Sequence, residues 1–188
     1  MANFIERPRY LCALGGAMTT VTALPGAAPV VHAAQGCVGN IIWAQNGGGG
    51  LQLGGYCGGL SIPCSNIQEK DVVFGGGDRL REQIRNTLEV IEADLYFVLT
   101  GCVTEVIGDD IRAVITEFQE QGVKIIFAET GGFKGDSYYG YDLVMQSLFR
   151  NFAGRDAEKK RGRVNILGVV PFMDVFWQGN LAGLRGLL

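Results

Sequence analysis

Three widely separated cysteines carry the most distinctive chemistry available to this sequence. They are Cys12 in Tyr10-Leu-Cys-Ala-Leu-Gly15, Cys37 in Val31-His-Ala-Ala-Gln-Gly-Cys-Val-Gly39, and Cys102 in Thr100-Gly-Cys-Val-Thr-Glu-Val-Ile-Gly-Asp-Asp110. None belongs to the close C-x-x-C pairs that mark most zinc sites. Thiolates are soft ligands, so three of them gathered by a fold would suit iron and sulfide. Cys37 and Cys102 precede segments expected to be helical, where backbone N–H groups and the positive dipole end favour thiolate over thiol. Gly36 and Gly101 beside them leave room for a bulky inorganic group. The same residues also read as buried, inert thiols, because free cysteine is among the most buried residue types. The residues alone leave both readings open.

Other candidate groups are weaker. Asp109-Asp110 has the composition of a paired acid site, but a helix start enriched in acidic residues accounts for it. Glu105 reads as structural. Gly75-Gly-Gly-Asp-Arg79 lacks the G-x-x-x-x-G-K-[ST] pattern of a phosphate-binding loop, so no nucleotide is expected on this chain.

The elements that must position the cysteines follow from periodicity. Asp71-Val-Val-Phe74 reads as a short strand, and a helix is expected from Asp78, its N-cap, with Leu80, Ile84, Leu88 and Ile91 on one face. Leu95–Thr100 is an unbroken apolar run, as in a strand buried on both faces. A helix over 109–121 ends at Gly122, and Lys124–Glu129 forms the next strand. A helix over 138–152, a strand over 164–170 and a helix over 180–188 complete the pattern, with 28–31 as a further strand. Strands alternating with helices imply an α/β fold: a doubly wound, mainly parallel sheet with helices on both faces. In such sheets ligands sit beyond the carboxyl ends of the strands. Cys37, Cys102 and the turn at 130–137 each follow a strand, so topology should bring them to one edge.

The bulk properties agree with one domain over residues 1–188. Hydrophobic residues make up 47% and charged residues 19%, which excludes disorder. Glycine is in excess, 29 of 188, partly from a Gly-rich loop expected over 44–62. Net charge is −3 with no long basic run, so no nucleic-acid partner is expected; Lys159-Lys-Arg161 and Arg163 read as a solvated connector. The apolar stretch 10–34 is broken by glycines, threonines, Pro25 and Pro29, unlike a signal peptide or a membrane span. It reads as domain interior, with no membrane partner and a cytoplasmic location. Five cysteines at these spacings do not form a secreted disulfide framework. The chain stops within the strand–helix alternation, which suggests a truncated C-terminus.

Val31-His-Ala-Ala-Gln-Gly-Cys-Val38, Gln68-Glu-Lys-Asp-Val-Val-Phe-Gly-Gly76 and Thr100-Gly-Cys-Val-Thr-Glu-Val-Ile-Gly-Asp-Asp110, in that order, resemble the nitrogenase component 1 superfamily. This is the family of the molybdenum–iron protein subunits and their relatives. Pro63-Cys64 and Thr104-Glu105 look somewhat closer to its β side or to the related assembly scaffold. The resemblance implies that Cys12, Cys37 and Cys102 are metal ligands. They would hold half of a P-cluster-type iron–sulfur cluster shared with a homologous partner subunit. It implies electrons delivered by a separate ATP-dependent iron–sulfur reductase protein, in a heterotetrameric nitrogenase-like oxidoreductase of nitrogen fixation. The isolated chain would not be active.

The alternatives are an iron–sulfur cofactor-assembly scaffold and a cluster-free α/β interaction domain. Relatives act on dinitrogen, tetrapyrroles and sulfur compounds, so the substrate stays open. Under the resemblance His32 is a hydrogen-bonding residue near the cluster, and Cys57 and Cys64 match no ligand position. Asp136 and Ser137 fall near a family serine that lies close to the cluster, and a solvated turn is expected there.

Overall fold

Three strands apolar on both faces need helices on both sides. The computed structural model describes residues 11–48, 62–153, 161–168, 170, 174 and 176–188. Its elements in chain order are α1 (Ala13–Thr22), β1 (Ala27–His32), α2 (Gln35–Gly48), α3 (Glu69–Phe74), α4 (Gly77–Val90), β2 (Leu95–Thr100), α5 (Cys102–Ile107) and α6 (Ile111–Glu120). After these come β3 (Ile125–Ala128), a 3₁₀ turn (Gly132–Lys134), α7 (Ser137–Phe152) and α8 (Trp177–Leu187).

The sheet order is β1-β2-β3, all parallel. β1 and β2 pair from Ala27 with Leu95 to His32 with Thr100, and β2 and β3 from Tyr96 with Ile125 to Leu99 with Ala128. Alternation along β2 divides the core: Phe97 and Leu99 meet α1, α2 and α7, whereas Tyr96 and Val98 meet α4 and α6. After β3 the chain passes to the opposite face, where α7 packs on α1. The expected parallel sheet covered on both faces is thus observed.

The contact between α1 and α7 depends on glycine. A Cβ on Gly16 would run into the Ser137 carbonyl, and one on Gly140 into the Ala13 carbonyl. Without side chains there, the two backbones meet directly. This crossing sets the start of α1 against the turn that leads into α7: Ala13 N–H donates to Gly135 O at 2.9 Å, and Cys12 forms an isolated antiparallel bridge with Asp136.

Several expectations are corrected. Asp71–Phe74 is helical, not a strand: Gln68 N–H donates to Asp71 Oδ2 at 3.0 Å in a capping box, and Val73 and Phe74 point to solvent. Three apolar residues in a row are too short a run to reveal their period. The N-cap of α4 is Gly76, two residues before Asp78. No strand forms over 164–168 or at 170, where Val164 and Leu167 are exposed. Helix α2 continues to Gly48, so the expected loop at 44–62 begins as helix, and its stretch 49–61 lies outside the described residues. Among the described residues no helix is long and apolar enough to cross a membrane.

Candidate functional site

The carboxyl edge of the sheet holds the three cysteines. Cys102 is the first residue of α5, directly after β2. Cys37 is in the first turn of α2, two residues after its start, just beyond β1. Cys12 is the N-cap of α1 and reaches the same edge because α1 crosses α7 at glycine. The turn after β3 completes the group. A Cβ on Gly132 would stand 3.1 Å from Cys12 Sγ and 3.2 Å from Cys102 Sγ, so both sulfurs flank one point on the turn. Gly132 N–H donates to Cys102 Sγ at 3.1 Å.

The third thiol senses the other two. Burial pushes the Cys37 thiol up, and the charges of Cys102 and Cys12 add to that rise. The expected thiolate-favouring effect of a helix start does not prevail at Cys37. Cys12 is exposed, and Cys37 and Cys102 are half-buried. Among the described residues no three His, Cys, Asp or Glu side chains close around a single metal ion.

The two glycines singled out from sequence play different parts. Space is open at Gly36. At Gly101 it is taken: a Cβ there would lie 2.5 Å from Ala33 Cβ, so this glycine lets the ends of β1 and β2 pack and does not leave room for a ligand. The glycine that abuts the sulfurs is Gly132, in the turn expected after β3.

The nitrogenase component 1 type oxidoreductase family matches residues 12–188, from the first of these cysteines onward. The chain belongs to this family. It is 30% identical over 175 residues to the nitrogenase vanadium–iron protein beta chain of Trichormus variabilis, covering 87% of this chain and 35% of that one. It is 28% identical over 188 residues to the molybdenum–iron protein beta chain of Crocosphaera subtropica, covering 96% and 34%. It is 30% identical over 173 residues to the iron–molybdenum cofactor biosynthesis protein NifE of Methanococcus maripaludis, covering 88% and 35%. A solved structure of nitrogenase Cp1 at pH 6.5 superposes with a TM-score of 0.71 at 21% identity, covering 87% of this chain and 35% of the other. The chain therefore spans about a third of the length of these relatives.

The remaining groups of this nitrogenase component 1 domain are structural supports. His32 is fully buried, with Nε2 3.0 Å from Asp109 Oδ2 and Nδ1 2.9 Å from Ser65 Oγ. Burial holds the imidazole below its ordinary range despite Asp109, so it is neutral, with Nε2–H donating to the carboxylate and Ser65 donating to Nδ1. Both ring nitrogens are occupied, as expected for a hydrogen-bonding residue. The sequence did not reveal that Asp109 is its partner and also accepts from Gly76 N–H at 2.8 Å. Asp110 caps α6 through Ala113 N–H, and Asp136 caps α7 through Tyr138 and Tyr139 N–H.

Cys64 lies nearer the group than expected. Burial pushes its thiol up, hydrogen bonds with Asn66 and Ala33 oppose this, and the Cys37 charge adds to the rise. Its sulfur is already engaged, donating to Ala33 O at 3.3 Å and accepting from Asn66 N–H at 3.4 Å. Cys57 lies outside the described residues.

Proposed function

We propose that this chain is a subunit-type domain of a nitrogenase-like oxidoreductase whose Cys12, Cys37 and Cys102 hold half of a P-cluster-type iron–sulfur relay. A homologous partner subunit supplies the other half. The observation that carries this reading is the meeting of Cys12 and Cys102 sulfurs at Gly132, with Cys37 in the first turn of α2 beyond the neighbouring strand β1.

The residues fit such a group. The donors are soft sulfurs, a side chain at Gly132 would crowd them, and a backbone N–H points at one. When bound, an iron–sulfur cluster supplies electron transfer at a potential set by net charge, hydrogen bonds to sulfur and exposure. The chain's own contribution is to fix three thiolates on rigid elements and to direct the Gly132 N–H at one of them.

Partner surfaces are available beside the thiols. Phe133, next to Gly132 in the same turn, is 62% exposed. An apolar side chain left open beside these thiols suits a second subunit that packs against the site. Electrons would arrive from a separate ATP-dependent iron–sulfur protein, consistent with the missing phosphate-binding loop here.

A cofactor-assembly scaffold is the second reading, since the identity to the NifE protein equals that to the vanadium–iron protein beta chain, 30% in each case. Anaerobic co-expression with a nitrogenase α-type partner tests the relay: a complex is expected whose iron–sulfur electron-paramagnetic signal is lost in Cys37→Ala. Iron-free wild-type complex would contradict it. A cluster that accepts electrons from the reductase protein marks the oxidoreductase, and one that does not marks the scaffold.

A further inference from the structure

Glu105 makes more polar contacts around the cysteines than any helix-surface carboxylate needs. It lies one turn along α5 from Cys102, and its side chain is only 10% exposed. Oε1 accepts from Thr100 Oγ1 at 2.5 Å and from Gly131 N–H at 2.6 Å. Oε2 pairs with Lys134 Nζ at 2.7 Å. Thr100 is tied to the same turn, since Thr130 N–H donates to its Oγ1 at 2.9 Å and Thr130 Oγ1 to its carbonyl at 2.8 Å.

These bonds clamp both ends of one short segment. Gly131 and Lys134 are gripped by a single carboxylate, and the residue between them that faces sulfur is Gly132. Glycine has the widest choice of backbone conformations, so two successive glycines have no preference that would aim this N–H unaided. Partial burial works against the Lys134 charge, yet its pairing with Glu105 and Glu129 holds the ammonium above the ordinary range.

We propose that Glu105 is a positioning residue that, through Gly131 and Lys134, aims the Gly132 N–H at Cys102 Sγ. It touches no sulfur itself and acts on the thiolate through the turn. The inference rests on Cys102 being a cluster ligand for its functional meaning, but the arrangement is testable in the metal-free chain. N–H donors to ligand sulfur stabilise its anionic form and tune any bound cluster.

The test uses the metal-free full chain and three variants: Glu105→Ala, Glu105→Gln and Lys134→Met. Amide exchange at Gly132 is read by NMR, and the alkylation rate of Cys102 relative to Cys37 at one pH is read by peptide mass spectrometry. In Glu105→Ala, Gly132 exchange should rise and the Cys102-to-Cys37 ratio fall, each by about fivefold, the factor one ordinary hydrogen bond carries. Glu105→Gln keeps a side-chain oxygen for Gly131 and Thr100 but sets an amide N–H₂ against Lys134, so both readouts should fall between wild type and Glu105→Ala. Should Glu105→Ala fail to fold, Lys134→Met at the partly exposed end of the clamp carries the test, with faster Gly132 exchange expected.

Equal effects of Ala and Gln would mean that charge acts and not aim, and would overturn the proposal. Unchanged Gly132 exchange in Glu105→Ala and Lys134→Met would overturn it as well. Failure of the cluster reading shows separately, as iron-free complex with these responses intact.

Discussion

Cys12 and Asp136 face each other across an isolated antiparallel bridge, each as the N-cap of one of two helices that cross at glycine. The arrangement explains how a cysteine that follows no strand reaches the carboxyl edge of the sheet. Parallel topology brings Cys37 and Cys102 there; backbone contact between α1 and α7 brings Cys12.

The crossing should not tolerate a side chain. In Gly140→Ala the new methyl would meet the Ala13 backbone, which cannot move without shifting Cys12. A loss of about 1–3 kcal/mol is expected, as for overpacked cores, measured by denaturant unfolding. Iron uptake by the folded fraction should fall with it. Wild-type stability in Gly140→Ala would mean that the helices do not meet as described.

His32 should make stability depend on acid. Burial lowers its folded pKa, so the unfolded chain takes up the proton first, near the ordinary imidazole value of 6.5. Its contribution is complete above that pH and is lost as pH falls through it, by about 1.4 kcal/mol per pH unit until the folded group also protonates. Urea midpoints measured across pH 5 to 8 should show the slope, and His32→Gln should flatten it. An unchanged slope in His32→Gln would place the titration elsewhere.

Much of this was legible in the sequence because the signals were long or topological. Leu95–Thr100 had to be a doubly buried strand, and parallel strands put Cys37 and Cys102 at one edge whatever the details. Short-range signals misled. Val72-Val-Phe74 is apolar and mostly β-branched, yet the Gln68–Asp71 capping box makes the segment helical. Gly101 was read as making room for a ligand and instead accommodates Ala33. Gly132 has no local signature, because the two sulfurs it abuts come from distant elements. The Asp109–His32 pair was hidden for the same reason.

Gly132→Ala should separate the site from the fold. Its methyl would press on Cys12 and Cys102 sulfurs at 3.1 and 3.2 Å, and Cys12 is exposed and can give way. Thermal unfolding should stay close to wild type, within about 1 kcal/mol, while iron bound after anaerobic reconstitution with the partner falls. Full iron binding in Gly132→Ala would remove this turn from the site.

The most direct measurement is iron and acid-labile sulfide content of the co-expressed complex across a matched set of substitutions. Cys12→Ala, Cys37→Ala and Cys102→Ala should each lose the cluster, because alanine offers no replacement for a thiolate anchor. Cys57→Ala and Cys64→Ala should retain it. Iron and sulfide that survive the loss of Cys102, or that vanish equally with Cys57, would contradict the account.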